Sequence, residues 1–172
     1  MFGLKTAMKS GIGTASIRVG DTGIVVGAIV AVNAVGDVID PASGKIVAGA
    51  RKPGGSGFMD TMARIRAGYD VQSAGPANTT IGVVATNVAF DKAQVSKIAQ
   101  MAHDGLARAI NPVHTPSDGD TIFAVATRAT RTRANHGAIG ALAADAMAQA
   151  ILRAVKAARG LPGLPAYSDL NR

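Results

Sequence analysis

Cysteine, tryptophan and glutamate are all absent from this chain of 172 residues, and each absence excludes something. Without cysteine there is neither a disulfide frame nor a thiolate metal site, so redox chemistry does not fix a compartment. Aromatics make up only 3% of the residues, so the core has to be built from Ala, Val, Ile and Gly. Residues that small suit tightly packed layers better than a cavity lined by rings. The missing glutamate contributes as much to the net charge of +7 as the lysines and arginines do. The basic residues are scattered apart from Arg128, Arg131 and Arg133, and few aromatics lie near them to stack on bases. The charge therefore reads as a solvated basic surface, or one matched to an acidic partner, and not as a nucleic-acid interface. The opening Met-Phe-Gly-Leu-Lys has no apolar signal core. The longest apolar stretch, Ile24 to Val35, runs about a dozen residues and is too short to cross a bilayer. The expectation is a cytoplasmic protein with no nucleic-acid or membrane partner.

What is present is apolar and regular enough to fold. The hydrophobic share is 48% and the mean hydropathy is +0.23, which argues against disorder, and the length suits one domain. Ile24 to Val32 reads as a buried strand. Val38-Ile39, the turn residues Asp40 to Gly44, and Lys45 to Ala50 read as a hairpin. Arg51 to Gly57 is a loop, Phe58 to Tyr69 holds a short helix, and Gln72 to Asn78 is a second small-residue loop. That loop runs directly into an apolar strand, Thr79 to Ala89, whose first residue carries a hydroxyl. Asp91 caps a helix to Ile110, with Val95, Ile98, Ala99, Ala102 and Leu106 on one face, and Asn111-Pro112 stops it. Thr121 to Thr127 is a third apolar strand. Asn135 caps a long Ala-rich helix from about Gly137 to Arg159, ended by Gly160. The tail after Leu161 docks loosely. Such an order suggests layers with sheets inside and helices outside.

Few side chains announce chemistry without further information. His103, His114 and His136 show no metal-ligand spacing, and His103, in mid-helix, reads as structural or surface. A Ser-His-Asp triad has no GxSxG elbow to support it. Gly11-Ile12-Gly13 resembles a fragment of a phosphate loop but reads more readily as a plain turn. Asp118-Gly119-Asp120 stands just before a buried strand. It is either a pair that holds a cation or tunes a neighbouring base, or a turn with solvated aspartates. Lys5 is equally ambiguous.

Taken together, the segments GLKTAMKSGIGTAS (Gly3 to Ser16), VGAIVAVNAVGDVIDPASGKIVAGAR (Val26 to Arg51) and the run from Asn78 to Thr127, with its NTTIGVVATN and HTPSDGD blocks, resemble one family. It is the DmpA-type L-aminopeptidase/D-esterases, which include the β-peptidyl aminopeptidases and the nylon-oligomer hydrolases. The resemblance extends from Gly3 to about Leu152. It implies a four-layer α-β-β-α sandwich and a chain that cuts itself before a Ser or Thr, here between Asn78 and Thr79. Thr79 would then be an N-terminal nucleophile whose own α-amine serves as base. By position, Asn33 matches the family asparagine whose amide helps hold the oxyanion. Lys5 matches a site lysine of the nylon-oligomer hydrolases, and Asp118 and Asp120 match the acidic pair beside their nucleophile. Thr115 and Ser117 have weaker claims.

The same resemblance implies no cofactor and no metal, small amide or peptide substrates, and a homo-oligomer, a tetramer in the family. It also implies that the N-terminal half of the sandwich is missing, together with a family tyrosine that neither Tyr69 nor Tyr167 replaces. Met8-Lys9-Ser10 departs from the family's glycine-rich run. A sandwich without that half should expose strand edges and an apolar sheet face. Two other readings compete. One is an ornithine-acetyltransferase-like acyl transferase, recognisable by acetyl transfer from acetylornithine to glutamate. The other is an inactive truncated remnant or an assembly subunit.

Overall fold

Short runs of β-branched and small apolar residues produce most of the strands, and two capped helices cover one face of the main sheet. In the computed structural model, which describes residues 2–54, 57–69 and 78–170, the chain begins with β1 (Ile12–Arg18), β2 (Val25–Ala31), β3 (Asp37–Ile39), β4 (Ile46–Ala48) and α1 (Thr61–Arg66). It continues through β5 (Ile81–Thr86), α2 (Lys92–Ala109), β6 (Ile110–Asn111), β7 (Thr121–Ala126), α3 (His136–Ala157) and α4 (Tyr167–Leu170). Of the expected small-residue loop Gln72 to Asn78, only Asn78 lies within the described residues, and the Arg51 to Gly57 loop lacks residues 55 and 56.

The main sheet has the order β1-β2-β5-β7. Its first two pairings are antiparallel and the last, β5 with β7, is parallel. The parallel pair needs a crossover, and α2 supplies it. Asp91 accepts from the Gln94 amide while the Gln94 side chain accepts from the Asp91 amide, a complete capping box. Asn135 caps α3 in the expected way, accepting from Gly137 and Ala138. A small antiparallel sheet, β4-β3-β6, stands beside the main one. Its buried Asp37 carboxylate accepts from the Thr61 and Ala50 amides at 2.7 and 3.3 Å. Burial raises the proton affinity of that carboxyl, and the two amides partly oppose the effect.

Both long helices lie on one face of the main sheet. Val26, Val30, Val84 and Ile122 meet Ile98 and Leu106 of α2 and Met147 and Ile151 of α3 in a continuous core. The scarcity of large side chains has a structural counterpart, because helices and sheet approach to backbone contact. A Cβ on Gly105 would lie 2.4 Å from the Ala144 carbonyl oxygen, and one on Gly13 would lie 2.1 Å from that of Ala150. This corrects the reading of Gly11-Ile12-Gly13. Ile12 and Gly13 belong to β1, and Gly13 is small so that α3 can press on the strand. Gly13→Ala is therefore expected to lower unfolding free energy by about 1–3 kcal/mol, read as a drop in urea midpoint. Gly27→Ala is the control, since its Cβ would meet only the Ala15 carbonyl oxygen, at 3.8 Å.

Two further expectations are corrected. α3, and not Ile24 to Val35, is the longest apolar element, and its length and composition would suffice to span a membrane. Eleven of its residues are instead buried in the core. The tail after Leu161 is also more firmly held than expected. Ala166 is fully buried, its amide donates to Asp169, and the Lys9 amide donates to the Pro165 carbonyl. The opposite face of the main sheet is apolar and open, as expected. Ile12, Ile29, Ile81, Phe123 and Val125 are all exposed there. The described residues thus supply the main sheet with a helix layer on one side of it, and the small sheet β4-β3-β6.

Candidate active site

The main-sheet pairings continue beyond β5 at its N-terminal end and enclose the Asn78–Thr79 bond. On one side the Thr79 amide donates to the Asn33 carbonyl at 2.9 Å. This continues the register in which Ala31 faces Ile81, so Asn33 stands opposite Thr79. Residues opposite one another in an antiparallel pair share a face. On the other side Asn78 bridges Asp118 in parallel fashion, the Gly119 amide donates to the Asn78 carbonyl at 3.0 Å, and the Thr121 amide donates to the Thr80 carbonyl at 3.1 Å. A Cβ on Gly119 would fall 2.6 Å from Thr79 Oγ1. The Asn78 carbonyl oxygen is thus held by the Gly119 amide, and the Thr79 hydroxyl lies against the same residue. Thr80 is buried, so strand alternation turns Thr79, like Ile81, toward the open face of the sheet.

The Asp120 carboxylate binds the backbone beside this bond, and the Asp118 carboxylate binds within its own loop. Asp120 Oδ1 accepts from the Thr80 amide at 2.9 Å, and Asp118 Oδ2 accepts from both the amide and the hydroxyl of Thr115 at 2.8 Å. Asp120 is almost wholly enclosed, with its side chain 4% exposed, and its Oδ2 lies 3.1 Å from His114 Nδ1. His114 Nε2 in turn faces His103 Nδ1 at 3.4 Å. Burial, then the facing His114, lower the proton affinity of His103, while Asp120 and Asp104 oppose the shift. Among the described residues no group of three or more His, Cys, Asp or Glu is arranged to hold a metal.

A hydroxyl held beside a backbone carbonyl invites comparison with enzymes that act on amide bonds. The model of peptidase family S58 matches residues 4–167. The chain belongs to peptidase family S58. An uncharacterized aminopeptidase of Mycobacterium tuberculosis is 38% identical over 183 residues, covering 95% of this chain and 53% of that protein. A 6-aminohexanoate-oligomer endohydrolase of a Kocuria strain is 32% identical, covering 86% of this chain and 44% of that one. The chain therefore spans about half the length of these relatives. Among solved structures, the L-aminopeptidase D-Ala-esterase/amidase of Ochrobactrum anthropi, described as a variant of the Ntn hydrolase fold, superposes with a TM-score of 0.57. The identity is 19%, and the match covers 92% of this chain and 44% of that one. That likeness places the α/β layering of this S58 chain in the Ntn hydrolase fold.

Within the S58 chain, five of the residues singled out from sequence converge: Asn33, Asn78, Thr79, Asp118 and Asp120. Lys5 stands in the N-terminal segment ahead of β1. Its side chain is exposed, and its backbone carbonyl accepts from Arg51 Nη2 at 2.8 Å. Arg51 also donates to the Ala7 carbonyl, which ties the N-terminal segment to β4 and the loop that follows it. Sequence reasoning misses His114 and His103 as neighbours of Asp120. The one signal for them is the presence of His114 in the same short block as the two aspartates. Sequence reasoning also leaves Thr115 in a minor role, whereas Thr115 is the group that binds Asp118.

Proposed function

We propose that this S58 chain is a self-processing N-terminal-nucleophile amide hydrolase in which Thr79 is the nucleophile. The observation that carries the reading is the shared position at Gly119 of the Thr79 hydroxyl and the Asn78 carbonyl. Thr79 Oγ1 attacks the Asn78 carbonyl carbon, and the Gly119 amide supports the developing oxyanion. The C–N bond then breaks as the acyl group passes to oxygen and the hydroxyl proton passes to the departing nitrogen. Water hydrolyses the resulting ester, leaving a carboxylate on Asn78 and a free amine on Thr79. An α-amine of pKa roughly 8 then takes the proton from the Thr79 hydroxyl, so one residue supplies both nucleophile and base. Asn33, opposite Thr79 on the open face, supplies an amide donor for the substrate oxyanion, a contribution of about 3 kcal/mol.

The substrate class is small amides: short peptides with free N-termini, β-peptides or amide oligomers. The names of the relatives, an aminopeptidase and a 6-aminohexanoate-oligomer endohydrolase, support peptides and amide oligomers within that range. Mass spectrometry of the purified chain after timed incubation tests the reading. The expected products are residues 1–78 and 79–172. A bond that stays whole through prolonged incubation of folded protein overturns it.

A further inference from the structure

Asp120 is the most enclosed charged group at the junction, and its two oxygens have different tasks. Oδ1 holds the Thr80 amide, one residue beyond the bond to be cut, while Oδ2 turns away toward His114. Burying a carboxylate is costly unless polar groups face it; Oδ1 has the Thr80 donor and Oδ2 has the His114 ring nitrogen at 3.1 Å. His114 reaches it from a backbone at φ +55°, a region that favours glycine and admits Asn, Asp and His more readily than other side chains. The loop is thus held in an uncommon conformation that delivers an imidazole to Asp120. With Nδ1 facing Asp120, His114 Nε2 faces His103 Nδ1 on α2.

We propose that His114 is a positioning residue for the Asn78–Thr79 junction. Its Nδ1, 3.1 Å from Asp120 Oδ2, packs against the carboxylate that holds the Thr80 amide, and through it steadies the Thr79 hydroxyl and the Asn78 carbonyl. His103, the outermost group of the row Asp120–His114–His103, braces the imidazole from its other side, with Nδ1 at 3.4 Å from His114 Nε2. The consequence for reaction rate rests on the self-processing reading above, whereas the fixing of the Thr80 amide does not.

Two substitutions separate the ring from the backbone. His114→Gly accepts the positive φ without strain and removes the ring. His114→Asn tolerates the same φ and offers Nδ2 close to where the imidazole Nδ1 lies. Hydrogen exchange of the Thr80 amide is measured in the Thr79→Ala chain, where the bond stays uncut and no chemistry intervenes. His114→Gly is expected to speed that exchange by about tenfold, through loss of the polar group packed against the Asp120 carboxylate, and His114→Asn to return it to within about threefold of the parent. An unchanged Thr80 amide in His114→Gly, or equal loss of protection in both variants, overturns the proposal.

In the chain that retains Thr79, the rate of appearance of residues 79–172 is expected to follow the same order. A His114→Gly chain that cuts as fast as its parent also overturns the proposal. If the parent itself never cuts, the self-processing reading fails, and the Thr80 amide still decides whether His114 holds Asp120.

Discussion

Thr79→Ala is expected to leave the chain at its full 172 residues under conditions in which the parent divides into residues 1–78 and 79–172. The loss of rate should be roughly 10⁴-fold or more, the scale seen when a covalent nucleophile is removed. Thr80 follows directly in the chain, but it is buried and points to the helix side of the sheet, so it does not take over the attack. The fold should be indifferent to the change. The Thr79 contact that extends the sheet is its backbone amide to Asn33, and alanine keeps that bond. Thr79→Ser should restore cleavage, since it keeps the oxygen and loses only the methyl group that restricts the rotamer. Intact mass spectra of the three proteins, alongside their thermal midpoints, check these outcomes. Cleavage of the alanine chain at the parent's rate and position would remove Thr79 from the mechanism.

The parts of the fold that local signals encode are legible in the amino-acid sequence. Asp91 and Asn135 announce α2 and α3, because capping is a matter of one side chain and the next few amides. The hairpin of β3 and β4 follows from its turn residues. β1 is less legible because Gly11 and Gly13 look like a turn, while the reason for Gly13 lies at Ala150, far along the chain. β6 is a two-residue strand that exists through its pairing with β3. The junction at Asn78 and Thr79 stands out as a hydroxyl at the entrance to an apolar strand, and its chemistry comes from family resemblance. The clustering of Asn33, Thr79 and the two aspartates needs the strand order β2-β5-β7, which no local pattern discloses. The contact between His114 and Asp120 depends on a positive φ and on α2 behind the loop, both products of tertiary structure. Lys5 is suggested by resemblance alone, and its side chain is exposed.

Gly119→Ala tests the placement of the nucleophile without removing it. The new Cβ would stand 2.6 Å from Thr79 Oγ1, so the hydroxyl has to leave its position. Thr79 can do so only by changing χ1, and a β-branched side chain has few alternative rotamers. Gly119 is not among the residues with positive φ, so alanine fits the backbone. The Gly119 amide also remains, and it continues to donate to the Asn78 carbonyl. The substitution therefore separates two features that coincide at this residue: the polarised carbonyl is kept and the hydroxyl is displaced. A shift of about 1 Å in a reacting group costs on the order of 100-fold in rate, and that is the expected slowing of cleavage, with little change in thermal midpoint. If Gly119→Ala cuts at the parent's rate, the position of the Thr79 hydroxyl over Gly119 is not the reactive one. The attack must then start from another rotamer.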